Sequence, residues 1–164
     1  VGSVRKHKAR RTNPTPDPSP EGEGGLHVLS PTDRVCHSAA HLFADGDLAG
    51  GLRNLWDIHC LLDEFGSPDF WDKLRERAAR HQLSEPVERA LRLAHQLYGS
   101  EIPNGWNRWH RQDKYYVARM TARDGWGRPT RKFIRVIFYI RSHWLRMPPL
   151  MLARHLWTKW RKSA

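Results

Sequence analysis

From Ser30 onward, apolar positions recur at three- and four-residue spacing, the period of a helix with one buried face. Ser30-Pro31-Thr32-Asp33 offers an N-cap hydroxyl, a proline at the first helical position and an acid in the first turn, and so predicts a helix start. Val35, Ala39, Leu42 and Phe43 share one face of that helix, which should end near Ala44. Asp45-Gly46-Asp47 and Gly50-Gly51 supply a connection. A second helix carries Leu52, Leu55, Trp56, Leu62 and Phe65 and stops at Gly66. Ser67-Pro68-Asp69 opens a third, with Phe70, Trp71, Leu74 and Ala78. Ser84-Glu85-Pro86 opens a fourth, with Val87, Ala90, Leu91, Ala94 and Leu97, closed by Gly99. No strand-period alternation interrupts this block, and short loops between helices of this length predict an all-α antiparallel helical bundle.

Past residue 100 the pattern loosens. Gly105, Gly125, Gly127 and Pro129 break any long helix over a stretch holding Trp106, Trp109, Tyr115, Tyr116 and Trp126. Residues 130–146 then predict a helix with Phe133, Ile134, Ile137, Phe138 and Trp144 as its apolar stripe. Pro148-Pro149 enforces a break before a last helix carrying Leu152, Leu156, Trp157 and Trp160. Two basic helices are therefore expected beyond the bundle. Residues 1–25 contain Pro14, Pro16, Pro18 and Pro20 but no aromatic residue, Leu or Ile. Such a segment cannot bury enough apolar surface to offset its ordering entropy, and a disordered tail is expected. Its Asn13–Gly24 string resembles the translation of a short intergenic repeat of bacterial genomes, which sets it apart from a helical domain over residues 26–164.

Charge sharpens this division. The formal charge of +11 over 164 residues divides into +2 for residues 1–25, −3 for 26–100 and +12 for 101–164, where six of the eight Trp also lie. A negatively charged partner is implied for the last segment alone. The longest apolar run, Val136 to Ile140, is far too short to span a bilayer, and no apolar stretch follows the N-terminal basic residues as in a secretory signal. Cys36 and Cys60 both fall within helical apolar patterns and are expected as buried free thiols of a reducing compartment. The expected location is the cytoplasm, with attachment to the inner face of the membrane as the variant that the basic end suggests.

Two four-residue spacings bear on chemistry. His37 and His41 share one face of the first helix, and Arg53 and Asp57 one face of the second. A His pair at this spacing can ligate a transition metal, but the zinc-hydrolase pattern needs Glu directly after the first His, where Ser38 stands. No metal site is therefore assigned. The structural alternatives are a surface ion pair for Arg53 and Asp57, and helix-interface histidines hydrogen-bonded to backbone or to Asp57. At the basic end, Arg131, Lys132, Arg135, Arg141, Arg146 and Arg154 are candidates for anion contact. They could meet an acidic protein surface, an anionic membrane or, as the weakest of the three, nucleic acid.

The stretches Leu26–Phe43 and Gly51–Leu62, with their Leu-Ser-Pro-x-Asp start, His-x-x-x-His helix and Arg-x-x-x-Asp helix, resemble a bacterial family. This is the family of uncharacterised nucleotidyltransferases related to the polymerase-beta superfamily. The resemblance extends over about residues 26–160, including Trp144-Leu145-Arg146-Met147-Pro148-Pro149. It implies transfer of a nucleoside monophosphate from an NTP to an acceptor, with two Mg²⁺ ions held by an Asp-x-Asp pair on an N-terminal α/β domain. No glycine-rich turn or strand-borne Asp-x-Asp precedes Leu26, and Asp45-Gly46-Asp47 falls between helices. The chain is accordingly expected to be the helical half of such an enzyme, truncated, inactive alone and holding no cofactor itself. His37, His41, Arg53 and Asp57 would line the cleft or brace the catalytic half.

Overall fold

A computed structural model describes residues 28–163, the side chains through Arg161. The tail expected over residues 1–25 lies outside them. Seven helices follow in order: α1 (Pro31–Ala44), α2 (Gly51–Phe65), α3 (Pro68–Arg80), α4 (Ser84–Tyr98), α5 (Asp113–Met120), α6 (Lys132–Trp144) and α7 (Pro149–Ser163). The described residues form no strand, and one isolated bridge joins Arg123 to Pro129. The all-α class follows from the sequence pattern as expected.

The punctuation behaves largely as its chemistry requires. Ser30 caps α1, its Oγ accepting from the Asp33 amide at 3.3 Å while donating to the Asp33 carboxylate at 2.7 Å. Gly99 closes α4 in the left-handed conformation (φ 72°), its amide donating to the His95 carbonyl. Two starts differ in detail. Ser67 precedes α3 without a side-chain cap bond, and Leu83 rather than Ser84 occupies the cap position of α4.

The core sits where α1 and α4 meet. Helix α1 packs against α2, α3 and α4, and α4 additionally touches α5. Val35, Ala39 and Leu42 of α1, Leu55 and Ile58 of α2, Leu74 of α3 and Val87, Ala90 and Leu91 of α4 are all essentially inaccessible. Because neighbours enclose α4, its run Leu91-Arg92-Leu93-Ala94 is buried without interruption.

Four expectations are corrected. Trp56 does not join the core: it lies on the surface, edge-on to Tyr98 at 5.1 Å and beside His59, while Ile58 and Leu61 take the buried positions of α2. Cys60 is exposed and Cys36 alone is buried. An unforeseen helix, α5, forms within the glycine-interrupted stretch. The helix predicted over 130–146 is shorter, and Phe133, Ile137 and Trp144 of its stripe face outward, while Phe138 of the stripe is buried together with Ser142.

Helix α5 is joined to α4 by charge. Asp113, fully buried, accepts from Arg92 Nε at 2.7 Å and from the His110 amide at 3.0 Å, and Arg92 Nη2 lies 3.4 Å from its second oxygen. Arg89 Nε stands 3.5 Å from the same carboxylate, and its guanidinium lies over the Tyr116 ring. Burial by itself would raise the Asp113 pKa. The Arg92 hydrogen bond, the His110 amide and the charges of Arg92 and Arg89 outweigh it and hold the carboxyl below its ordinary value. The native state therefore binds fewer protons here than the unfolded chain. The resulting stability is complete above about pH 4, the ordinary carboxylate value, and is lost as pH falls through the folded value. Asp113→Asn removes the shared carboxylate from Arg92 and Arg89, which keep only the more exposed Glu88 and Glu85 as ionic partners, and is expected to cost roughly 3 kcal/mol. Urea denaturation across acidic pH should show both that loss and a flatter acid limb in the variant.

Candidate functional site

The α1–α2 surface brings together part of the predicted constellation. His37 and Asp57 line one open cavity of about 390 Å³, with Arg34, Ser38, Cys60 and Glu64. His41 lines a neighbouring cavity of about 270 Å³ with Asp45, Asn54 and Arg146. The His37 and His41 ring centroids are 6.3 Å apart, and both side chains are exposed. Neither ring hydrogen-bonds to a described residue, so the expected bonds to backbone or to Asp57 do not form. Arg53 is exposed, lines neither cavity and makes no salt bridge to Asp57 among the described residues. The expected ion pair is absent there. Two exposed imidazoles and a carboxylate can hold or exchange protons with a bound group. Among the described residues, no group of three or more His, Cys, Asp or Glu is arranged to hold a metal.

The sequence pattern did not single out a third cavity. It measures about 470 Å³ and lies between the starts of α1 and α3, lined by Ser30, Asp69, Lys73, Glu76, Arg77 and Arg80 among others. Arg77 is committed to Asp33 at 3.1 Å. The three basic residues stand at i, i+4 and i+7 of α3, a spacing that could have marked a common face.

Asp45-Gly46-Asp47 does not fit a two-metal centre. Arg119, buried in α5, reaches Asp47 Oδ1 with Nη2 at 2.8 Å and Nε at 3.3 Å. Arg146 stands 3.4 Å from Asp45 Oδ1, and Arg141 donates to the Gly46 carbonyl at 3.0 Å. Both carboxylates are thus used as tethers between this loop and the helices beyond it, and arginines occupy the positions that cations would take. Two predicted anion contacts, Arg141 and Arg146, are engaged in this way. Arg131, in the left-handed region (φ 48°), lies 3.3 Å from the Ala118 carbonyl. The Lys132, Arg135 and Arg154 side chains make no ion pair among the described residues.

Gly46 seals the contact. It adopts φ 67°, and an added Cβ would stand 2.6 Å from Ser142 Cα. Gly46→Ala should cost about 2 kcal/mol or more through backbone strain and collision with α6. Gly50→Ala, where nothing lies within 4 Å, should cost less than about 1 kcal/mol, as compared by urea midpoints. The thiols give a second check. Burial first, and then the Asp33 charge, push Cys36 up to about 11, against a smaller opposing effect of Arg77. Ellman's reagent at neutral pH should therefore titrate Cys60 promptly and Cys36 only on unfolding.

No curated protein and no solved structure significantly matches the chain. The family model described as "uncharacterised nucleotidyltransferase" matches residues 10–99. That span runs from ahead of the described structure to the end of α4 and takes in the whole α1–α2 surface with its histidines and Asp57. It leaves α5, α6 and α7 beyond its end. With more than half of the sequence so matched, the chain belongs to the family of uncharacterised nucleotidyltransferases.

Proposed function

We propose that this helical domain serves a nucleotidyl transfer reaction as the part that covers the nucleotide or acceptor, and that the metal-binding carboxylates of the reaction come from outside it. The family match carries this reading. It covers α1–α4, where His37 and Asp57 share an open groove. Two further observations support the division of labour. The described residues offer no three-ligand cluster, and Asp45 and Asp47 are each paired with an arginine. Mg²⁺ and NTP then belong to the assembled enzyme, and His37, His41, Arg53 and Asp57 line its cleft or brace the two parts.

Removing a group from a cleft lowers turnover, whereas removing it from a brace weakens assembly. The purified chain, given each of the four γ-labelled NTPs with Mg²⁺ or Mn²⁺, is expected to release no labelled pyrophosphate above background. Adding a separately produced family domain that carries a strand-borne Asp-x-Asp should restore release. Asp57→Ala should then reduce it roughly tenfold or more, the usual scale for a lost positioning contact. Turnover by the chain alone would overturn the proposal, as would failure of the two parts to associate.

A further inference from the structure

Helix α6 carries apolar side chains on two opposite faces. Phe138 and Ser142 are buried inward. Phe133, Val136, Ile137, Ile140 and Trp144 recur at helical spacing, fall within a stripe about 100° wide and are exposed, Phe133 to 79%. Helix α7 is joined to α6 through the Tyr139–His155 hydrogen bond of 3.0 Å and the stacked His143 and His155 rings. Its buried contact is Leu152, while Leu150, Trp157 and Trp160 project outward with Arg154 and Arg161 among them. From Gly125 to Ala164 the sequence has ten Lys or Arg and no Asp or Glu.

We propose that the outer face of α6 and α7 docks on an anionic lipid bilayer, lying in the headgroup region without crossing it. Charge and shape choose this occupant. A nucleic acid could stack on Phe133 or Trp144 but would leave the aliphatic centre of the stripe, Val136, Ile137 and Ile140, against water, and a second copy would bring two strongly cationic faces together. A bilayer of anionic lipids meets both demands: acyl chains take up Val136, Ile137 and Ile140, and headgroup phosphates meet Lys132, Arg154 and Arg161. Trp144, Trp157 and Trp160 stand at the boundary between the two, the depth at which amphipathic rings are favoured. No helix among the described residues is long and apolar enough to cross a membrane, so insertion stays shallow. The inference stands independently of the nucleotidyl transfer reading, because it requires neither nucleotide nor a second domain.

The full chain should co-sediment with vesicles of equal parts phosphatidylcholine and phosphatidylglycerol, and not with vesicles of phosphatidylcholine alone. Its tryptophan emission should shift to the blue and be quenched by brominated acyl chains. Trp157→Ala with Trp160→Ala, and separately Phe133→Ser with Ile140→Ser, change exposed side chains; they should keep the helical circular dichroism and weaken partitioning roughly tenfold. Raised salt should weaken the wild type as well. Three results would overturn the proposal. One is no partitioning into anionic vesicles; a second is partitioning that both double variants leave unchanged. The third is a dimer in gel filtration that those variants dissociate, which would assign the face to a second copy.

Discussion

The buried charge pair between Arg92 and Asp113 is the constraint on which the C-terminal half depends. Helix α4 is enclosed by α1, α2, α3 and α5, so a guanidinium on its α5 side has no route to water. Glu88, one turn back on α4, reaches only its Nη1 at 3.8 Å, and the buried Nε is met by an anion from elsewhere in the chain, Asp113 at 2.7 Å. Once Asp113 is placed, α5 is oriented. Tyr116 then meets Phe43 and Phe138 edge-on, and Met120 lies against Gly51. Burying an ion pair contributes less net stability than an apolar contact of the same volume would, but it discriminates strongly against any other placement of α5.

The four-helix block was legible because its information is local. Apolar positions recur with one period, and prolines and glycines mark the ends. Helix α5 was hidden because its inward positions include Asp113 and Arg119, residues that hydropathy assigns to solvent. Their partners, Arg92 and Asp47, are 21 and 72 residues away, and no local window contains them. The α6 stripe failed for the complementary reason. Periodicity establishes that a face is apolar, but not that the rest of the chain covers it. At the candidate site, four-residue spacing placed His37 and His41 on one side of α1, their rings 6.3 Å apart, but carried no information on Asp57, which shares a cavity with His37 alone. It could not foresee that Arg53 and Asp57 would form no ion pair with each other, since an exposed ion pair gains too little to fix two long side chains.

The fate of Asp45-Gly46-Asp47 shows how far surroundings decide what a motif is. Two carboxylates separated by one glycine could in principle receive cations. Here the cations are covalently part of the chain, and the glycine is present because α6 leaves no room for a Cβ. A loop that resembles a ligand set in one dimension is, in three, the fastening between the family-matched block and the helices that follow it.

The manner of that fastening has a dynamic consequence. The block from α1 to α4 is held by a shared apolar core, whereas α6 contributes one well-buried apolar side chain, Phe138, and α7 one, Leu152. Attachment there runs from α5 to α6 and from α6 to α7, with Arg141, Arg146 and the Gly46–Ser142 contact tying the end of α6 to the α1–α2 loop and stacked imidazoles holding α7. Elements with few buried apolar contacts open at lower free energy than a packed core, which sets the terminal pair apart from the block that precedes it. The apolar side of α6 and α7 thus faces its surroundings on elements whose opening would leave the part that the family shares intact.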